Sequence, residues 1–292
     1  MTKILKGAPV AAALNERSIA LRRTLEERGV VPTLAVVRVG ERPDDLSYER
    51  GVCKRCESVG VAVRSFVLPE NASEEALLDV LRQVNEDAAI HGCLLFRPLP
   101  RHMDERAVCA ALRGDKDVDG ITQASLAGVF TGEPVGFPPC TAQAVVELLD
   151  FYGVALSGKR VTVVGRSLVV GKPAAMMLMG KNATVTVCHT RTVDVPKEAR
   201  EADILVSSAG VLRSLTKDYV KPGQIVIDVS INWDPEKVNA KGRKGAIAGD
   251  AVFEEVEPIV DAITPVPGGV GSVTTSVLIG HVVEAAERQA AK

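Results

Sequence analysis

The segment Val161–Gly171, Val-Thr-Val-Val-Gly-Arg-Ser-Leu-Val-Val-Gly, constrains this chain more than any other. A run of β-branched residues ends in Gly165, passes through a short polar turn, and re-enters at Gly171-Lys172-Pro173 before Ala174–Met179, which reads as a helix. Strand, tight turn and helix in that order let the backbone turn at a glycine. The free N–H groups and positive end of the helix then favour a bound phosphate, so a nucleotide is the natural guest. The spacing departs from G-x-G-x-x-G, since only Gly165 and Gly171 are present, and on this motif alone a purely steric reading of glycines at a strand end stays open.

The next strand, Ala183–Cys188, ends in His189-Thr190-Arg191-Thr192. In dinucleotide folds an acidic residue at this place grips the ribose 2′-hydroxyl of NAD, whereas an arginine accommodates the 2′-phosphate of NADP. No carboxylate lies between Lys181 and Thr192. Cation and hydroxyls therefore favour NADP, the alternative being a positive strand end that only solvates the chain.

With 292 residues the chain has room for two domains, and a hydrophobic content of 46% can fill their cores. A net charge of −2 gives no basic excess, so nothing points to nucleic acid or an anionic membrane as partner. No apolar run approaches the ~20 residues of a membrane span, and Met1–Gly7 lacks the apolar core of a signal peptide, so the expected compartment is the cytoplasm. The six cysteines are scattered, as free thiols in a reducing compartment would be. Cys53-Lys54-Arg55-Cys56 has C-x-x-C spacing but lacks the second pair or the spaced histidines of a zinc site. We read these as inert helix thiols rather than redox or metal groups, and expect no metal.

Helix and strand alternate along the first part. Val10–Arg28 reads as a helix, Thr33–Val39 as a buried strand, Asp44–Val59 as a helix, Val61–Leu68 as a strand, Ser73–Asp87 as a helix and Gly92–Phe96 as a strand. Repeated βα units imply a parallel sheet with helices on both faces. Phe96-Arg97-Pro98-Leu99-Pro100 breaks the pattern. After a helix ending near Arg113 comes Asp115-Lys116-Asp117-Val118-Asp119-Gly120, then a loop rich in glycine and proline up to Pro138-Pro139, a candidate domain junction. A helix at 142–151 leads into the nucleotide unit, where Ile204–Ser208, Gln224–Val229 and Gly245–Gly249 read as further strands. The loop Thr264–Gly271 and a final helix, Val273–Arg288, complete the chain.

Five of these segments, in order, resemble the bifunctional methylenetetrahydrofolate dehydrogenase/cyclohydrolase family: Asp115–Gly120, Gly165-Arg166-Ser167 through Val170–Pro173, Val226–Val229 with Ile231-Asn232, Gly249–Phe253, and Ile263–Gly271. The resemblance implies two α/β domains around a cleft, the second a Rossmann-like parallel sheet, and commonly a homodimer through the cofactor domains. It divides the chain into a folate-binding catalytic domain, 1–138 with 273–292, and an NADP-binding domain, 139–272. It makes Tyr48 the tyrosine that packs against the folate and Asp119 the carboxylate that holds the pterin. Gly165, Arg166, Ser167, Gly171, Thr190, Arg191 and Ile231 fall at cofactor positions, and Pro265, Gly268 and Gly269 in the substrate loop. On chemistry alone, Tyr48 reads equally as a half-buried helix aromatic and Asp119 as a turn former.

The departures are as informative. The family places a catalytic lysine four residues after the tyrosine and a second lysine two beyond; here the first position is Val52 and the second Lys54. Two helical steps turn Lys54 about 200° away from Val52. The glutamine that partners the catalytic lysine is Phe96. Lys54 and Arg97 are the candidates for a substitute. Hydride removal needs positioning and no proton transfer, whereas hydrolysis of a methenyl group needs general acid/base help, which typically contributes ~10²–10⁴-fold. The expected activity is an NADP-dependent dehydrogenase acting on a tetrahydrofolate one-carbon substrate, with cyclohydrolase activity weak or lost. A noncatalytic folate or nucleotide sensor retaining the fold is the alternative.

Overall fold

The computed structural model describes residues 1–238, 242 and 244–291. The chain divides into two compact units, Ala12–Cys140 with Thr275–Lys292, and Met1–Ala11 with Thr141–Thr274. Both are α/β.

In the first unit the strand Thr33–Val39, buried at every residue, lies between Ala62–Leu68 and Gly92–Leu95, and all three run parallel. Parallel pairing requires crossovers, which the helices Pro43–Val59 and Glu74–Glu86 supply. The helix Pro43–Val59 starts with a proline and two acidic residues and ends at Gly60, whose φ of 84° lets its N–H reach the carbonyls of Cys56 and Glu57. It buries Val52, Cys56 and Val59, one face at helical spacing. In Glu74–Glu86 the Ser73 hydroxyl accepts the Ala76 N–H at 3.2 Å, and Leu77, Leu81 and Val84 are buried. At its other end the buried Lys116 ammonium donates to the carbonyls of Val84 (2.7 Å) and Asp87 (2.6 Å), which satisfies acceptors that a helix leaves open.

The stretch after Gly120, expected as a loop, contains the helix Gln123–Thr131. Its signals are local: the Thr122 hydroxyl accepts the Ser125 N–H, and Gly132, at φ 76°, closes the last turn. The glycine and proline content of residues 132–139 outweighed that N-cap in the sequence reading. The first helix begins earlier than expected, at Gly7, with Pro9 tolerated in its first turn.

In the second unit six strands form one parallel sheet in the order Lys3–Ile4, Ala262–Ile263, Ile225–Asp228, Ile204–Ser207, Arg160–Val164, Thr184–Cys188. The expected strand Gly245–Gly249 is not part of it. Lys244–Ala248 pairs antiparallel with Asn232–Val238 in a separate hairpin, whose strand Asn232–Val238 has a charged, proline-containing sequence that hid it. Met1–Ala11, assigned by the sequence to the first domain, belongs to this unit because Lys3–Ile4 pairs with Ala262–Ile263.

Chain order reverses between Arg160–Val164 and Ile204–Ser207, and ligands of open parallel sheets bind at such a point, beyond the carboxyl ends of the strands. Gly165 sits there at φ 119°, where an added Cβ would meet the Ser208 carbonyl oxygen at 2.4 Å. A Cβ on Gly171 would meet the Gly165 carbonyl oxygen at 2.2 Å. The helix Gly171–Gly180 can close on the strand end only because both positions lack side chains. Gly171→Ala should therefore lower stability by about 1–3 kcal/mol, measured by urea unfolding followed by circular dichroism.

Candidate active site

The carboxyl ends of the first unit's strands carry one cluster. Tyr48 lies on Pro43–Val59, one turn before Val52, and its ring meets Phe96, just past Gly92–Leu95, edge to face at 5.9 Å between centroids. The residue is 39% exposed, with Asp119 and Thr275 near its phenol. Burial, and then the nearby Asp119 charge, hold the phenol above its usual range.

The polar residues and the glycine of Asp115–Gly120 have separate tasks. The Asp115 side chain pairs with Arg113, and Lys116 caps Glu74–Glu86. Asp117 accepts the N–H groups of Ile121 (3.0 Å) and Thr122 (2.7 Å) and the Ser125 hydroxyl (2.6 Å). Gly120, at φ 70°, lies so close to the Pro138-Pro139 peptide that a Cβ would meet Pro139 N at 2.3 Å. Between them, Asp119 lies near enough to Tyr48 and the Cys140 thiol for its charge to raise both. Burial raises its own carboxyl to about 6, against the opposing effects of the nearby Cys140 thiol and the Arg97 charge.

Val52 is wholly buried and Phe96 is 7% exposed. Lys54 is exposed, on a different side of its helix from Val52. Arg97 is half-buried, 3.4 Å from Glu105, and near enough for its charge to lower the Asp119 carboxyl. Cys53 and Cys56 are free thiols, and burial raises both, Cys56 to about 12.

The second unit carries the other cluster. Val164 is in register with Cys188, and the Gly165 N–H donates to the Cys188 carbonyl at 2.9 Å, which sets the Gly165-Arg166-Ser167 turn beside His189–Thr192. In the latter, the Arg191 N–H donates to His189 Nδ1 and the His189 N–H to the Thr192 hydroxyl. Arg166, Ser167, Thr190 and Arg191 are all exposed, and neither arginine has an acidic partner within 4.0 Å among the described residues. The N–H groups expected to be free at the helix Gly171–Gly180 are not: the Ser167 hydroxyl accepts Val170 N–H at 3.1 Å and Gly171 N–H at 3.5 Å, and the Ser167 carbonyl accepts Lys172 N–H. A serine two residues into the turn folds back and caps the helix itself. Ile231 is exposed on this unit, and a Cβ on Gly271 would lie 3.3 Å from it. In the loop Thr264–Gly271, Gly268 accepts the Gly7 N–H through its carbonyl at 2.8 Å, Gly269 is buried against Gly7, and Pro265 is half-buried.

Three polar residues that organise these clusters carried no role in the sequence reading. Asp250 accepts donors from Ser207, Ala209, Val211, Ser230 and Asn232. Asp228, raised to about 6 chiefly by burial, accepts the N–H groups of Ser230, Asp250 and Ala251. His281 donates Nδ1–H to the Val118 carbonyl at 2.8 Å. Both aspartates lie inside the segments Val226–Val229 and Gly249–Phe253, where residue type and spacing do not reveal burial.

A parallel sheet with close-packed glycines at its switch point and, among the described residues, two arginines without an acidic partner defines a dinucleotide-binding α/β protein, here joined to a second α/β unit bearing an aromatic and carboxylate cluster. Residues 139–290 match the model of the tetrahydrofolate dehydrogenase/cyclohydrolase NAD(P)-binding domain, and residues 5–119 that of the catalytic domain. The bifunctional protein FolD of Carboxydothermus hydrogenoformans is 50% identical over 287 residues, covering 98% of each chain. The crystal structure of the bifunctional enzyme FolD from Campylobacter jejuni superposes with a TM-score of 0.92 at 35% identity, covering 99% of each chain. That of Trypanosoma brucei FolD, complexed with NADP cofactor and inhibitor, superposes with a TM-score of 0.91 at 33% identity, covering 100% of this chain and 99% of that one. This chain belongs to the tetrahydrofolate dehydrogenase/cyclohydrolase family. Among its described residues no helix is long and apolar enough to cross a membrane.

Because Asp119 titrates near 6 when folded, above its ordinary value, its ionised form costs stability at neutral pH, and that cost fades as pH falls through 6 toward 4. Asp119→Asn should therefore be more stable than the parent at pH 7.5, by roughly 1–2 kcal/mol. Urea unfolding at pH 7.5 and pH 4.5 should show the difference shrinking at the lower pH.

Proposed function

We propose that this chain is an NADP-dependent 5,10-methylenetetrahydrofolate dehydrogenase of one-carbon folate metabolism, with methenyltetrahydrofolate cyclohydrolase activity weak or lost. The observation that carries the reading is the contrast within the first unit. Tyr48 and Asp119 are present, near enough for the Asp119 charge to raise the Tyr48 phenol, while the family's lysine and glutamine positions hold buried apolar residues, Val52 and Phe96.

The nucleotide side fits NADP. Gly165 and Gly171 leave room for close backbone approach, and Arg166 and Arg191 are unpaired cations on adjoining turns. A guanidinium suits a 2′-phosphate through its fork of donors. The solved Trypanosoma brucei relative, described as complexed with NADP, supports the same choice. NADP supplies the hydride acceptor when bound.

What the chain's own residues do follows from the charges involved. Tyr48 offers a ring face and edge for a flat pterin, oriented by its packing on Phe96. Asp119, ionised above pH about 6, accepts N–H groups of the pterin and fixes its rotation. Loss of a hydride from the methylene carbon leaves a cation delocalised over its two nitrogens, and no proton moves. Hydrolysis would require proton transfer during water addition and ring opening. Val52 and Phe96 have no exchangeable proton, Lys54 is exposed on another side of its helix, and Arg97 is paired with Glu105 at 3.4 Å. On this reading the protein works in the cytoplasm, consistent with six free cysteines. It pairs as a homodimer through the nucleotide unit, where the cross-strand residues Trp233 and Ile247 are left exposed.

A spectrophotometric assay that follows NADPH and methenyltetrahydrofolate separately should show both accumulating together, with methenyl hydrolysis no faster than in buffer. Formation of neither would favour the noncatalytic sensor, and enzyme-accelerated hydrolysis would remove the claim of a lost cyclohydrolase. Val52→Lys combined with Phe96→Gln should create some hydrolysis, and single changes less than their share, because groups acting as one catalytic unit are non-additive.

Arg191→Ala should raise the Michaelis constant for NADP about tenfold or more while changing that for NAD far less. Steady-state kinetics with both cofactors check this, and equal effects would place the 2′-phosphate contact elsewhere.

A further inference from the structure

The segments that bring Tyr48 and Phe96 together are tied to one another a second time, by Arg42. Its guanidinium grips Asp45 through Nε and Nη2, at 2.9 and 2.8 Å, in a two-pronged pair whose carboxylate is largely buried, its side chain only 12% exposed. The other edge of the same plane faces the backbone after Phe96. There Nη1 donates to the Pro98 carbonyl at 3.4 Å and Nη2 to the Arg97 carbonyl at 3.3 Å. One rigid group thus serves two partners at once.

Both partners adjoin the ring pair. Asp45 lies three positions before Tyr48, on the same side of Pro43–Val59, and Arg97 follows Phe96 directly. The segment beyond is held by Glu105, which accepts the Leu99 N–H at 3.0 Å and lies 3.4 Å from the Arg97 guanidinium, while the Phe96 N–H donates to the Val37 carbonyl at 2.9 Å. Phe96 is therefore fixed from the strand on one side and, on the other, through carbonyls that Arg42 holds. The helix itself does not depend on Arg42. Buried Val52, Cys56 and Val59 seat it, and Arg38 Nε, on the strand Thr33–Val39, donates to Glu49 at 2.8 Å in a largely buried pair. Loss of Arg42 leaves those contacts in place and frees the link to the Arg97-Pro98 segment.

We propose that Arg42 is a positioning residue for the aromatic pair: tied to the Tyr48 helix through Asp45 and to the Phe96 segment through two carbonyls, it sets how the two rings meet and so the surface they offer to a flat heteroaromatic ligand. The task calls for a planar fork. A guanidinium presents N–H groups along two edges of one plane, whereas an ammonium is a single point without that spread. The consequence for folate binding rests on the reading of Tyr48 as the residue that packs against the pterin, but the geometry of the ring pair does not.

The test follows the Tyr48 ring directly, by ¹⁹F NMR of the full chain with its three tyrosines replaced by 3-fluorotyrosine and the Tyr48 line assigned by its loss in Tyr48→Phe. Arg42→Ala should move the Tyr48 line, while those of Tyr152 and Tyr219, in the other unit, stay in place. Arg42→Lys should move it as far, because it keeps the stem and charge but not the fork, and it carries the test should Arg42→Ala fold poorly. Phe96→Leu should move the line by itself, and adding Arg42→Ala to it should move it little further, since Arg42 acts through the Phe96 segment. A line unmoved by both Arg42 variants, full rescue by Arg42→Lys, or an equal displacement in the Phe96→Leu background overturns the proposal. In turnover, Arg42→Ala should raise the Michaelis constant for methylenetetrahydrofolate about 2–10-fold, the range of one aromatic contact, and leave kcat and the constant for NADP near those of the parent. If Tyr48→Ala leaves the folate constant unchanged while Arg42→Ala still moves the Tyr48 line, the pterin reading falls and the positioning role stands.

Discussion

Asp250 is fully buried, and its carboxylate is made tolerable by five donors: the hydroxyls of Ser207 and Ser230, the N–H groups of Ala209 and Val211, and the Asn232 amide. A buried carboxylate without such partners would be excluded from a core by its desolvation, so the five groups are held as a set. They come from the carboxyl end of the strand Ile204–Ser207 and from the segments that follow it and its neighbour Ile225–Asp228. The geometry propagates from there. Fixing Ala209 and Val211 fixes Ser208, whose carbonyl leaves no room for a Cβ at Gly165, and Gly165 in turn leaves none at Gly171. Asp228 adds a second anchor on the same loops, and Gly249 must be glycine because a Cβ there would fall 2.0 Å from the Asp228 carboxylate. The strand end at Gly165 and Gly171 is thus shaped from behind, by buried acids.

The regular elements were legible in the sequence because their signals are local. Ser73 as a cap, Pro43 with Asp44 and Asp45 at a helix start, and the β-branched runs Thr33–Val39 and Arg160–Val164 each announce themselves within a few residues. What was missed depends on partners far along the chain. Lys3–Ile4 is a strand only because Ala262–Ile263 lies beside it, and Asn232–Val238, with its proline and three charged residues Asp234, Glu236 and Lys237, is a strand only because Lys244–Ala248 pairs with it. Two residues carry no intrinsic preference strong enough to reveal such pairing.

The same division runs through the candidate sites. Gly165 and Gly171 stand out by type and spacing, since each supplies room that few residues can, whereas Tyr48 and Asp119 stand out only through the family resemblance. Lys116 and Asp117 look, in sequence, like further members of a charged turn. In the structure they face inward, one capping a helix 30 residues earlier in the chain and the other gathering the N–H groups that begin the next helix. Periodicity cannot separate a structural acid from a functional one two positions away; burial and hydrogen-bond partners can. The error over the helix N-terminus at Gly171 is of the same kind, because the serine that takes its donors is itself a residue of the turn that suggested a phosphate site.

Val52 and Phe96 gain meaning when considered as a pair. Val52 is wholly buried and Phe96 nearly so, in a unit where an ammonium at the first position would lose most of its hydration. Such a charge is tolerable only beside a polar partner, and a buried amide is tolerable only with its own donors and acceptors satisfied. Replacing one member of a lysine–glutamine pair would strand the other, whereas replacing both leaves no orphaned polar group. What Phe96 contributes instead is an edge-to-face contact with Tyr48, worth about 0.5–1.5 kcal/mol beyond its burial. That contact resists rotation of the tyrosine ring. On the proposed reading, a site changed in this way exchanges the means of moving protons for a stiffer platform, a trade that a hydride transfer can accept and a hydrolysis cannot.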